Sequence, residues 1–95
     1  MAAYVIAEVD VHDSALFEDY RKLVPATIAK YGGKYVVRGG ATDSKEGGWT
    51  PKRVVVLEFP TMARAREWYH SADYAPALAM RLKAAKSRMI IVEGV

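Results

Sequence analysis

From Ala3 to Val11 apolar and other positions alternate, placing Val5, Ala7, Val9 and Val11 on one face of a strand and Tyr4, Ile6, Glu8 and Asp10 on the other. Asp13 then offers an N-cap, and Leu16, Tyr20, Leu23, Val24, Ile28 and Tyr31 recur at helical spacing until Gly32 and Gly33 stop the run. Pro25 falls inside that stretch. It lacks an amide donor and crowds the carbonyl four residues back, so a kink or restart near Val24 is expected.

Lys34–Arg38 and Arg53–Phe59 read as two further strands, joined by an extended glycine-containing arm from Gly39 to Pro51, with a bulge expected at Gly39 and Gly40. Pro60 and Thr61 open a second helix through about His70, with Ala65, Trp68 and Tyr69 inward. The stretch SADY breaks it before a third helical segment lined by Tyr74, Leu78, Arg81 and Ala85. Arg88–Glu93 reads as a last strand. No repeat, linker or low-complexity segment interrupts the chain, which reads as one domain over residues 1–95.

The order βαββαβ predicts a ferredoxin-like α+β fold, in which right-handed crossovers put the helices on one face of a four-stranded antiparallel sheet. Val5, Ala7, Val9, Val55, Leu57 and Phe59 then pack under the helices. Ile6, Glu8, Val36, Arg38, Val54, Val56 and Glu58 are left on the bare face. That set is too aliphatic for water and too charged for a plain core. A second copy packing sheet to sheet would bury it around a cavity, making Arg38 and Glu58 lining residues of a shared pocket.

Length supports this. A 95-residue chain buries only about 60 to 65% of its unfolded surface, so a homodimer is an economical way to complete the core. The net charge of +3 is small and dispersed, although Arg81, Lys83, Lys86 and Arg88 fall in a stretch without acids between Asp73 and Glu93. By itself the charge implies no polyanion partner and no nucleic acid is expected; the run could face phosphate or an acidic surface, with a solvated helix face as the plainer reading. With no cysteine there is no disulfide framework, thiolate metal site or thiol nucleophile, and a reducing, cytoplasmic location is expected. MAAYVIAEVD has no basic leader region, and no apolar run approaches the roughly 18 residues of a membrane span.

The blocks VHD, Tyr20, Pro25, YGGKYVVRGG, EGGWTPKRVVVLEFP, Ala65, EWYHSADY, Arg81 and VEG together resemble the small bacterial family catalogued as domain of unknown function 1330, over nearly the whole chain. The resemblance implies a dimeric α/β barrel, the superfamily that also holds antibiotic-biosynthesis monooxygenases, muconolactone isomerases and chlorite-dismutase-like enzymes. It implies no particular reaction.

Candidate chemistry centres on three charged residues. Arg38 offers a permanently charged planar fork suited to a carboxylate, enolate or phosphate, and valine walls would strengthen such a contact. The alternative is a structural ion pair; simple register around a turn near Glu46 puts Lys34 opposite Glu58 and Arg38 opposite Val54. Glu58 and Glu8, on strands expected to run adjacent and parallel, would approach each other and raise one carboxyl into general-base range, unless Lys34 satisfies Glu58. Tyr20, Arg53 and Trp68 are candidate ligand contacts, and Trp49 on its glycine-flanked loop is a candidate lid or rim residue. His12 and His70 lack a third ligand at usable spacing, and no Gly-Gly pair forms a phosphate loop, so no metal or cofactor is expected. Three functions fit: a cofactor-independent enzyme, monooxygenase- or isomerase-like, acting on a small anionic or aromatic metabolite with Glu58 or Glu8 as base; a non-catalytic ligand binder or sensor; and an RNA-binding module. The last is disfavoured because RVVVLEF carries its only aromatic at the strand end.

Overall fold

A computed structural model describes residues 1–95. The elements run β1 (Ala3–Val11), α1 (Ser14–Lys30), β2 (Lys34–Arg38), β3 (Val54–Phe59), α2 (Met62–His70), α3 (Ala75–Ala84) and β4 (Ala85–Glu93). The strands form one antiparallel sheet in the order β2-β3-β1-β4. Local chemistry sets most boundaries. The Asp13 carboxylate accepts from the Leu16 amide at 3.1 Å, and Thr61 caps α2 the same way at 3.1 Å from Arg64. Ser71 links α2 to α3: its hydroxyl donates to the Trp68 carbonyl at 2.7 Å and accepts from the Tyr74 amide at 3.1 Å. No helix is long and apolar enough to cross a membrane.

Four expectations are corrected. Pro25 sits inside an unbroken α1. The last strand begins at Ala85, directly after α3, rather than at Arg88. β1 and β3 run antiparallel, with Glu8 opposite Val54 and Glu58 opposite Tyr4, so the two carboxylates stand at opposite ends of the pairing. Chain direction explains this: the α1 crossover returns β2 in the direction of β1, and the β2–β3 connection then reverses β3.

The fourth difference lies at Arg38. Lys34 does lie opposite Glu58, but the β2–β3 register slips between Tyr35 and Val37, so Arg38 faces Val55 and not Val54. Gly39 does take a positive φ of 71°, yet it closes β2, its amide donating to the Val54 carbonyl at 2.9 Å. The irregularity lies nearer the strand start than the glycines indicated. A one-residue slip moves a side chain to the other face of the sheet. Arg38 therefore joins Tyr35, Val55 and Leu57 on the helix side of the sheet, while Glu58 stays on the bare face.

The core lies between helices and sheet, around Trp68, Tyr74, Phe59 and Val5, all essentially buried. Trp68 packs on Tyr74 and Phe59 with ring centres 4.2 and 5.4 Å apart. Its indole N–H donates to the Thr27 hydroxyl at 3.0 Å, which satisfies the polar end of the ring. Helix α1 packs chiefly on α3 rather than closely on the strands. Side chains span the remaining gap.

Candidate functional site

That gap is a cavity of about 40 Å³, walled mostly by apolar and aromatic side chains from α1 and the sheet. Phe17, Tyr20, Tyr35 and Trp68 supply its aromatic surface, and Val5, Val55 and Leu57 part of its floor. Four arginines line the same space: Arg21, Arg38, Arg53 and Arg81. No Asp, Glu or His does.

The arginines lie at graded depth. Arg38 is exposed, Arg21 and Arg53 are half-buried, and Arg81 is only 3% exposed. Arg38 sits over the Tyr35 ring at 4.3 Å and Arg53 over the Phe17 ring at 5.8 Å, cation–π contacts that leave the guanidinium edges free to donate. Neither has a carboxylate partner, whereas Arg21 pairs with Glu18 at 2.9 Å. Burial pulls the Arg53 pKa below its usual range, and the like charges of Arg21 and Arg38 pull the same way. The Nε atoms of Arg21 and Arg53 are buried without hydrogen-bond partners. Gly39 makes room here: a Cβ at that position would overlap an Arg53 guanidinium nitrogen. Clustered cations with unspent donors raise the free energy of the empty site, and a bound anion lowers it.

At the inner end, the Arg81 Nε–H donates to the Tyr74 hydroxyl at 3.3 Å, and a second guanidinium nitrogen donates to Ser87. The Tyr74 and Tyr20 hydroxyls are hydrogen-bonded at 3.2 Å. Burial, with Tyr74 alongside, pushes the Tyr20 pKa far above the ordinary tyrosine range, so Tyr20 stays a protonated donor.

Of the residues singled out from sequence, Arg38, Arg53, Tyr20 and Trp68 meet around this cavity. Glu8, Glu58 and Trp49 do not. Glu58 lies on the bare face, 3.6 Å from Lys34. Glu8, on the same face, accepts from the Trp49 indole N–H at 2.5 Å and pairs with Arg88 at 2.7 Å. The Trp49 hydrogen bond, followed by Arg88, holds the Glu8 pKa below its ordinary 4.5, the reverse of what a general base at neutral pH requires. Trp49 is thus an arm residue clasping the sheet, not a lid on the pocket. The sequence pattern alone does not single out Arg21, Tyr35, Tyr74 or Arg81 as site residues. An arginine at position 81, within the stripe of Tyr74 and Leu78, was the available signal.

The Glu8 clasp has a pH dependence of defined sign. A depressed carboxyl pKa contributes stability above the ordinary value of 4.5, and that contribution is lost as pH falls through the lowered value. Trp49 fluorescence is expected to change only below about pH 4.5, and Glu8→Gln should give the acid-form signal at neutral pH. A transition centred above that value would contradict the clasp.

The fold and this cavity define a ferredoxin-like α+β protein with a basic, aromatic-lined helix–sheet pocket. The chain belongs to the family described as Domain of unknown function (DUF1330), which matches residues 2–95. It is similar in structure to a protein of unknown function from Rhodopseudomonas palustris (18% identity, 99% of this chain and 82% of that one, TM-score 0.76). It is also similar to SnoaB, a cofactor-independent oxygenase from Streptomyces nogalater (15%, 99% and 93%, TM-score 0.67). A dimeric ferredoxin-like protein of unknown function from a Jannaschia species is a third neighbour (9%, 99% and 100%, TM-score 0.73). At these identities the likeness is one of fold. No match is found among curated proteins.

Proposed function

We propose that the protein binds a small organic anion with a planar apolar body in the cavity between α1 and the sheet, and that it does so as a homodimer. One observation carries the first part: four arginines and no carboxylate line a single aromatic-walled cavity. Arg38 and Arg53 clamp the anion at the mouth, and Phe17, Tyr20, Tyr35 and Trp68 receive the apolar body. A cavity of about 40 Å³ is far below the several hundred Å³ of a drug-sized site and below the ~150 Å³ that takes up one benzene ring, so a single-ring ligand enters only as the arginine side chains at the mouth swing outward. Base catalysis by Glu58 or Glu8 is not supported, because both lie across the sheet from the pocket. A binder or sensor is the better reading, with an enzyme acting on an already ionised substrate as the alternative.

The homodimer rests on the bare sheet face, where Ile6 stands between Val56 and Ile90, with Val37 and Val92 nearby. Ile90 is 60% exposed there. Charged residues, Lys34 with Glu58 and Glu8 with Arg88, flank this apolar stripe, the pattern of an interface core with a polar rim. A second copy is the favoured occupant, since a neighbour of the same fold, nearly the same length, is described as dimeric.

Calorimetric titration with benzoate and with benzyl alcohol tests the anion site. Benzoate should bind, with an affinity that falls as salt is raised, and the uncharged alcohol should give no comparable heat. Equal binding of both, or of neither, would overturn the reading.

A further inference from the structure

The hydrogen bonds at the inner end of the cavity have a fixed direction. Tyr74 is fully buried, and its hydroxyl oxygen accepts from the Arg81 Nε–H at 3.3 Å. The other hydrogen-bond partner of the Tyr74 hydroxyl is the Tyr20 hydroxyl, 3.2 Å away between oxygens. Donation therefore runs from Arg81 to Tyr74 to Tyr20, because the opposite sense would leave the Tyr74 hydrogen buried without an acceptor. This leaves the Tyr20 hydrogen unspent on the protein, on a residue that lines the cavity. The positive end of the chain, on Arg81, polarises both hydroxyls and strengthens Tyr20 as a donor.

Resting on the anion-site reading above, we propose that Tyr20 donates to an acceptor oxygen on the inner end of the bound anion. The ligand class is then a small aromatic acid with two recognised ends: a carboxylate at Arg38 and Arg53, and a carbonyl or similar oxygen remote from it. The depth order of the arginines supports two ends rather than one. Arg38 is exposed at the mouth, while Arg81 and its tyrosines lie inside, with the aromatic walls of Phe17 and Trp68 contributing to the same cavity. A site built to hydrogen-bond a ligand oxygen discriminates against the analogue that lacks it, since the donor is otherwise left buried and unpaired.

The test compares 4-acetylbenzoate with 4-isopropylbenzoate, which have nearly the same shape but differ in the acceptor oxygen. Their dissociation constants are measured by calorimetry on wild type and on Tyr20→Phe. Tyr20→Phe keeps the ring that packs on Phe17 at 5.4 Å, and its melting curve checks folding. Wild type should prefer the ketone about tenfold, and Tyr20→Phe should lose that preference, binding the isopropyl acid at least as tightly as wild type does because the unpaired donor is gone. The proposal is overturned if wild type binds both acids equally, if the preference survives in Tyr20→Phe, or if a folded Tyr20→Phe loses both acids. Failure of wild type to bind either acid would instead overturn the anion site itself.

Discussion

Arg38→Met is expected to leave thermal stability unchanged while weakening the binding of small aromatic carboxylates roughly 10- to 100-fold. The stability half follows from what Arg38 touches. It is exposed, stacks on Tyr35 at 4.3 Å and has no carboxylate partner, so its replacement leaves no stranded charge and methionine keeps the contact with the ring. A change within about 0.5 kcal/mol is the norm for such a site. The binding half follows from the lost charge-assisted fork. Were Arg38 one arm of a buried pair, the same substitution would cost about 3 to 5 kcal/mol. A melting curve and a benzoate titration on one preparation separate the two. A large loss of stability with unchanged binding would make Arg38 structural and remove it from the site.

The second large effect concerns the bare face. If the proposed homodimer forms through this face, Ile6→Lys should give a folded monomer, weakening self-association by roughly 100- to 1,000-fold through burial of an unpaired charge. Ile6 is the suited position: it lies between Val56 and Ile90 at the centre of the apolar stripe, and it is 36% exposed in the single chain, so the lysine ammonium reaches water in the monomer. Sedimentation at micromolar concentration reads the outcome directly. A wild-type protein already monomeric at tens of micromolar, or a mutant that remains dimeric, would rule out this face as the interface.

Much of the framework was legible because its causes are local. The alternation from Ala3 to Val11, the Asp13 cap, the Gly32–Gly33 stop and the SADY break each act within a few residues, and the β order then restricts the topology. The site was legible in its residue types more than in its geometry. Arg38, Arg53, Tyr20 and Trp68 were candidates from the sequence, and the structure places them around one cavity. The face on which Arg38 lies was not readable, because a register slip between Tyr35 and Val37 carries no glycine or proline to mark it. Trp49 on Glu8 is a contact across 41 positions, made by an arm whose path depends on the finished sheet. The Arg81–Tyr74–Tyr20 chain depends on how α1 packs against α3. Helical spacing shows that Tyr74 and Arg81 share a face, and says nothing of Tyr20 meeting them.

On the proposed function the helix–sheet cavity, not a space between two sheets, holds the anion. Crystals soaked with 4-bromobenzoate and measured at the bromine edge test this most directly. One anomalous peak per protomer is expected between α1 and the sheet, beside Phe17 and Trp68, with the carboxylate directed at Arg38 and Arg53. A bound acid whose bromine lies on the opposite face of the sheet, near Glu8 and Glu58, would contradict it.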